Sequence, residues 1–219
     1  MKYITEQNRK FTDMGGIKIS HAIYPVLYPP EAGTAWGPVI RFDNKIMLAG
    51  RQEVQNFTGS PMQVIRIVIS GTIVYYDSTG YTTVLNEGDV LVVNLGREVL
   101  QSILHNADEN LENELLEIWL TSNSTTPNYT TQILNSNNSG LGRIKFKGGT
   151  SYDIAGGKKD NNMIISVLSG RVRAGDNSLN YGDVAIFSLE NSIHLEFERS
   201  TDIFQLEVEN QLINKHDVK

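Results

Sequence analysis

Residues that could act as metal ligands or as acids and bases are few in this chain, because its 219 residues include four histidines and no cysteine. The lack of cysteine excludes disulfides, thiol catalysis, iron–sulfur clusters and cysteine-based zinc sites. His105 follows the predicted strand 99–104 and is the histidine best placed to reach a site. Glu53, on the predicted strand 51–56, could act as an acid or a base. No partner for Glu53 is visible in the sequence, so we assign no catalytic residue.

Two other histidines have simple structural interpretations. His21 shares one face of a predicted strand with Ile19 and Ile23, which favours a core histidine with a backbone partner over a metal ligand. His194 alternates with apolar neighbours such as Leu195, which predicts an outward side chain and a surface charge. The sequence therefore predicts no metal site and no cofactor.

Composition and charge limit the partners. The net charge of -6 and the pI of about 5.2 argue against a general nucleic-acid binder, which needs clustered Lys and Arg. The first ten residues are polar and do not read as a signal peptide, and the longest apolar run, Val64–Ile69, is interrupted by Arg66. We therefore expect a cytoplasmic protein that contacts neither nucleic acid nor membrane.

Short strands with period-two alternation and Gly/Asp turns dominate the chain, which predicts an all-β barrel or jelly roll. The pattern also repeats. Val64–Gly71 resembles Met163–Gly170, and a Gly-Asp-Val turn follows each copy, at Gly88 and Gly182. The sequence predicts two copies of one barrel: an N-terminal barrel over 1–122, a linker over 123–140, and a C-terminal barrel with a tail over 141–219.

A strand ending in Ser-Gly, then a hairpin, then Gly-Asp-Val, repeated twice, resembles the cupin superfamily in its two-barrel (bicupin) form, and more closely the pirin family. Five blocks carry the resemblance: Trp36–Asp43, the strand ending at Gly71, Tyr76–Gly80, Asn86–Val90, and Glu117–Leu120 followed by Pro127–Tyr129. The resemblance implies two jelly-roll cupin barrels. It also implies iron in the first barrel, held by three histidines and a glutamate, with flavonol dioxygenase activity in some members and metal-dependent transcription cofactors among eukaryotic ones.

The ligand set that the resemblance implies is missing here. The first two histidines fall on Phe57 and Gly59, the glutamate of that motif on Gln63, the third histidine on Gln101 and the final glutamate on Ile103. Side chains of these types cannot hold iron, zinc or copper, because these metals need imidazole, carboxylate or thiolate ligands. The sequence thus favours a metal-free pirin-like protein without the dioxygenase activity.

The same five positions could line an apolar pocket with two amides, since in the cupin frame Gln63 and Gln101 are expected to point inward. Such a pocket suits a small organic molecule. The alternative is a packed relic in which the two amides satisfy each other. Glu53 and His105 are candidate additions to the pocket. We expect a small-ligand-binding, sensor or interaction protein, whose partner would be a small organic ligand in the first barrel or another protein. The alternative is a divergent, quercetinase-like cupin dioxygenase with non-standard site residues.

Overall fold

The protein is almost entirely β-structure in the computed structural model, which describes residues 2–23, 38–57, 61–96, 100–122, 128–133 and 141–209. No helix in these ranges is long and apolar enough to span a membrane. A single 3₁₀ turn, Glu6–Asn8, accompanies the described strands. Their bounds are Lys2–Ile4 (β1), Lys10–Asp13 (β2), Ile17–Ile23 (β3), Val39–Met47 (β4), Gln52–Phe57 (β5), Met62–Ser70 (β6), Thr72–Asp77 (β7), Thr82–Asn86 (β8), Asp89–Leu95 (β9), Leu100–Asn106 (β10), Asn113–Thr121 (β11), Asn128–Ile133 (β12), Leu141–Phe146 (β13), Thr150–Ile154 (β14), Asn161–Ser169 (β15), Arg171–Ala174 (β16), Asn177–Asn180 (β17), Val184–Ser188 (β18), Ile193–Phe197 (β19) and Thr201–Glu209 (β20).

The first compact unit covers Arg9–Leu134. A seven-stranded sheet in the order β12-β9-β6-β11-β4-β3-β2 and a four-stranded sheet in the order β5-β10-β7-β8 make up its first barrel. Its central strand β6 is rich in β-branched residues and buried along most of its length, as expected where a strand has packed side chains on both faces. The apolar cluster between the sheets includes Phe57, Val64, Tyr75 and Leu104.

The second compact unit joins Met1–Asn8 to Asn135–Lys219. It has a five-stranded sheet in the order β1-β18-β15-β20-β13 and a four-stranded sheet in the order β14-β19-β16-β17. The apolar cluster of this second barrel includes Ile165, Val172, Leu195 and Phe197.

The two barrels share one plan. The strand order β9-β6-β11-β4 recurs as β18-β15-β20-β13, and β5-β10-β7-β8 recurs as β14-β19-β16-β17. Both barrels have a register shift at the same place, near the end of an equivalent strand. In the first barrel it lies between Glu114 and Leu115 of β11, where β11 pairs with β6. In the second it lies between Val167 and Ser169 of β15, where β15 pairs with β20. Gly71 and Gly170 then follow, each with a φ of 83°. The predicted all-β bicupin duplication is therefore confirmed.

The structure divides the chain differently from the sequence pattern. The predicted linker, 123–140, contains β12, which pairs with β9 in the first barrel. The lead segment, assigned above to the N-terminal barrel, contains β1, which pairs with β18 of the second. The polar residues of β12 and the short length of β1 hid these pairings, because an edge strand needs backbone hydrogen bonds but no continuous apolar face.

Candidate functional site in the first barrel

Five charged or amide side chains meet inside the first barrel: Lys45, Glu53, Gln55, Arg66 and Glu117, called the ionic cluster below. The Lys45 ammonium lies 2.8 Å from both carboxylate oxygens of Glu53 and 2.8 Å from Oε1 of Glu117. The side chain of Lys45 is fully buried. An ammonium has three donors, so all three are matched by carboxylate oxygens here.

Arg66 and Gln55 complete the ionic cluster around Glu117. Arg66 Nε donates to Glu117 Oε2 at 2.9 Å, and Arg66 Nη2 donates to Gln55 Oε1 at 2.6 Å. Gln55 Nε2 lies 3.0 Å from both oxygens of Glu117, and Trp119 Nε1 donates to Oε1 at 3.0 Å. The Glu117 carboxylate is thus held by four different side chains.

Strand alternation explains why these side chains meet. Along β5 the buried positions are Glu53, Gln55 and Phe57, while their neighbours are exposed. Lys45 projects from β4, Arg66 from β6 and Glu117 from β11, three adjacent strands of the seven-stranded sheet. Since side chains on one face of neighbouring strands stand close together, the cluster is assembled by the sheets themselves.

The electrostatics of the cluster are balanced. Burial by itself would raise the pKa of the Glu117 carboxyl, but Lys45, Arg66 and Arg41 favour the anion and bring that pKa well below its ordinary value. Within the ionic cluster the two cations Lys45 and Arg66 balance the two carboxylates of Glu53 and Glu117, while Arg41 is paired with Asp43. Without an oppositely charged partner, a carboxylate this buried would take up a proton or strongly destabilise the fold.

A second set of polar contacts continues from the cluster toward β2. The Arg41 guanidinium lies 4.6 Å from the centre of the Trp119 ring, and its Nε donates to Asp43 Oδ2. Asp43 Oδ1 lies 2.7 Å from His21 Nδ1, and His21 Nε2 lies 3.1 Å from the hydroxyl of Thr12. His21 is buried as predicted, and its ring nitrogens contact the Asp43 carboxylate and the Thr12 hydroxyl, two side-chain partners that the sequence did not indicate.

The second barrel has different residues at the positions of the cluster. Arg66 pairs with Glu117 across the sheet, and the matching pair in the second barrel is Ile165 with Gln205. The other equivalent positions follow from the same cross-strand pairing. Leu115 pairs with Lys45 as Ile203 pairs with Ile144, and Leu104 pairs with Glu53 as Leu195 pairs with Tyr152. Ser102 pairs with Gln55 as Ile193 pairs with Ile154. In place of Lys45, Glu53, Gln55, Arg66 and Glu117, the second barrel carries Ile144, Tyr152, Ile154, Ile165 and Gln205. The same architecture thus forms around a mainly apolar interior.

The predicted pocket residues do not come together. Phe57 is buried and packs on Trp119 with ring centres 5.3 Å apart. The expected inward orientation of Gln101 is wrong: its side chain is exposed and donates to Asn56 Oδ1 at 3.0 Å. Ile103 lies on the same outer face, while Gln63 alternates with Val64 away from the core and donates to Asn94 at 2.8 Å. Gly59 lies outside the described residues.

Glu53 and His105, the two additional pocket candidates, separate in the structure. Glu53 is buried in the ionic cluster, so its partner is Lys45, which the sequence did not reveal. His105 sits on the outer face of β10, across from Gln52 and Val74. The inward position on that strand next to the cluster is Ser102, whose hydroxyl lies 3.5 Å from Arg66 Nη2. A role in binding stays a prediction for these residues.

The residues around the cluster do not fit the iron site that the resemblance implies. The inward positions of β5 and β10 next to the cluster carry Phe57 and Ser102, neither of which supplies an imidazole or a carboxylate. The carboxylates of Glu53 and Glu117 already accept hydrogen bonds from cations, and a divalent metal would sit beside two positive charges. Across the described ranges, no group of three or more histidine and carboxylate side chains is placed to hold a metal ion.

His194 lies on the surface of the second barrel, as predicted. Its Nδ1 is 2.5 Å from Asp153 Oδ1, and its Nε2 is 3.6 Å from Glu196 Oε1. The hydrogen bond to Asp153 raises the pKa of His194 above its ordinary value. A shallow cleft of about 440 Å³ runs past His194 along Asn177 and Phe187. The contacts of this histidine are therefore those of an exposed side chain between two surface carboxylates.

Comparison with known proteins agrees with the fold. No family model matches the chain, and no curated protein matches its sequence. Among solved structures, YhhW from Escherichia coli superposes with a TM-score of 0.84 at 13% identity, covering 96% of this chain and 98% of that one. The nickel(II) complex of the same bacterial pirin gives a TM-score of 0.82 at 13% identity, covering 96% and 99%.

A quercetin 2,3-dioxygenase from Acinetobacter baumannii gives a TM-score of 0.75 at 17% identity, with 96% of this chain and 86% of that chain covered. Identities this low show the fold and not the activity. Together with the duplicated strand order, these structures show that the chain has the two-barrel fold of the bacterial pirins.

Proposed function

We propose that this chain is a metal-independent, non-catalytic pirin-like protein that works by binding, and that its first barrel is the functional one. The observation that supports the proposal is the ionic cluster. The Lys45 ammonium and the Arg66 guanidinium occupy the barrel interior and engage both buried carboxylates. A site built this way repels a divalent metal and leaves it no free ligand.

The contrast between the two barrels points to the first as the functional one. Buried ion pairs are seldom more stabilising than well-packed apolar residues of similar size, because desolvation offsets their attraction. The second barrel forms without them, around Ile165 and Ile154. Buried charge that the fold does not require is a common mark of a functional site.

One atom of the cluster indicates what a small ligand would offer. Arg66 Nη1 is buried, and no described residue accepts a hydrogen bond from it. The guanidinium carbon lies 5.2 Å from the ring centre of Tyr75 and 5.9 Å from that of Phe57. The donor is thus flanked by aromatic faces. We expect a small organic molecule that combines an acceptor oxygen with a flat apolar part.

Elemental analysis tests metal independence. Untagged protein is measured before and after incubation with Fe(II) under nitrogen, and oxygen uptake is followed with quercetin and added Fe(II), Cu(II), Mn(II) or Ni(II). We expect far less than one metal ion per chain and no uptake above the metal-only control. One metal ion per chain would contradict metal independence, and turnover that Glu53→Gln abolishes would establish the dioxygenase alternative.

Ligand binding is tested by a thermal-shift screen of small aromatic carboxylates and phenols. Arg66→Ile, which installs the residue of the second barrel, should remove any stabilisation seen with the wild type, whereas Tyr152→Phe in the second barrel should leave it unchanged. A ligand that stabilises Arg66→Ile as strongly as the wild type would place the binding site elsewhere.

A further inference from the structure

The Lys45 ammonium sits in a cradle of oxygen atoms that has the chemistry of a cation site. Three carboxylate oxygens lie 2.8 Å from Nζ, two from Glu53 and one from Glu117. The ammonium is a compact point charge on a flexible stem. In this cradle it occupies the position that a bound metal ion would take. Lys45 and Glu117 are fully buried.

We infer that Lys45 is a tethered cation, and that the oxygen cradle of Glu53 and Glu117 binds a free divalent cation once the ammonium is removed. The inference rests on the proposed metal independence, for which it supplies the cause. Without Lys45, Arg66 is the one cation among the described residues that contacts either carboxylate, because Arg41 is paired with Asp43. Removing the ammonium therefore leaves one uncompensated negative charge among these groups. Carboxylate oxygens are the ligands that Mn²⁺ and Mg²⁺ prefer.

The Glu117 side of the cradle is held in place by groups other than Lys45. Glu117 accepts hydrogen bonds from Arg66 Nε, Gln55 Nε2 and Trp119 Nε1 at 2.9 to 3.0 Å. Its carboxylate therefore keeps its position when the ammonium is gone. Truncating Lys45 to alanine also opens the space of its stem, where an ion and the water ligands that complete its coordination can enter.

The test measures Mn²⁺ binding by equilibrium dialysis and electron paramagnetic resonance. We expect Lys45→Ala to bind one Mn²⁺ per chain at least about tenfold more tightly than the wild type. Lys45→Met is the matched control, because it removes the charge but fills the space, and it should bind no better than the wild type. Adding Glu53→Gln to Lys45→Ala should abolish the binding.

Two results would overturn the inference: a folded Lys45→Ala that does not bind Mn²⁺, or binding that survives the Glu53→Gln change. If Lys45→Ala does not fold in metal-free buffer, refolding with Mn²⁺ decides: recovery that the double variant does not show supports the cradle, and no recovery contradicts it. Stoichiometric metal in the wild type would instead contradict the proposed function, so the two failures are distinguishable.

Discussion

Glu117 and Gln205 hold the same position in the two barrels. Each lies across the sheet from the residue that precedes a strand-ending glycine by five positions, Arg66 before Gly71 and Ile165 before Gly170. An ion pair in one barrel thus corresponds to an isoleucine and an amide in the other. Because the backbone plan is shared, the second barrel is an internal reference for the energetic effect of the charges in the first.

Glu117→Gln should lower the free energy of unfolding by about 3–5 kcal/mol, because it leaves the buried Lys45 and Arg66 with one carboxylate between them. The double variant with Arg66→Ile and Glu117→Gln, which copies the second barrel, should be more stable than Glu117→Gln alone, since Lys45 and Glu53 then balance. Urea unfolding of the singles and the double measures this coupling. Simple additivity of the two singles would show that the pair does not act as one unit.

Acid should destabilise the wild type through Glu117. The pKa of this carboxyl is depressed in the folded state by Lys45, Arg66 and Arg41, against the opposing effect of burial. Its stabilising contribution is therefore complete above the unfolded-state pKa of about 4.3 and is lost as the pH falls from there toward the folded-state value. Unfolding free energies between pH 3 and 7 should fall more steeply below about pH 4.3 in the wild type than in the double variant. Parallel curves would assign the acid sensitivity to other carboxyls.

His194 should titrate above its ordinary pKa because of the hydrogen bond with Asp153. The protonated form is favoured in the folded state, so any stabilisation is present below the unfolded pKa of about 6.5 and lost as the pH rises through the folded value. Both side chains are exposed, so the readout is the NMR titration of the imidazole rather than stability. Asp153→Asn should bring the pKa down toward about 6.5, whereas Ser151→Ala, on the same strand, should not change it.

Gly71→Ala should destabilise the first barrel far more than Gly88→Ala. Both glycines have positive φ, 83° and 88°, so both substitutions strain the backbone by about 1–2 kcal/mol. A Cβ on Gly71 would also overlap the Asn113 side chain, while one on Gly88 has no atom within 4 Å. Thermal unfolding of the two variants separates the steric contribution from the backbone strain. Equal losses would mean that Asn113 moves aside at little cost.

The fold could be predicted from the sequence because the glycines that end its apolar strands are required by backbone geometry. Gly71 and Gly170 stand where the backbone needs positive φ and a side chain would collide with a neighbour, and both copies keep them. The apolar runs before them could only be buried strands. Edge strands such as β12 escaped prediction, since their polar residues carry no periodic signal.

The site was harder to predict because it depends on strand parity. On β10 the inward positions are Ser102 and Leu104 rather than Gln101 and Ile103, and a shift of one residue reverses every side chain. One signal was available: Arg66 interrupts an otherwise apolar run, and Glu117 does the same on β11. A charge in the middle of a doubly buried strand predicts an opposite charge nearby, but which strand supplies it depends on registers that sequence patterns do not contain.

The pairing of β1 with β18 has a consequence for how the chain is made. The backbone N–H of Glu6 donates to the Asp183 carboxylate, 177 positions later, so one edge of the second barrel is closed by residues that leave the ribosome long before β18 does. During synthesis this segment has to remain available until its neighbour emerges. Because contacts between residues far apart in sequence form slowly, we expect this edge of the second barrel to close late in folding. A fragment starting at residue 135 would present the unpaired backbone of β18 to other chains, and we expect it to aggregate.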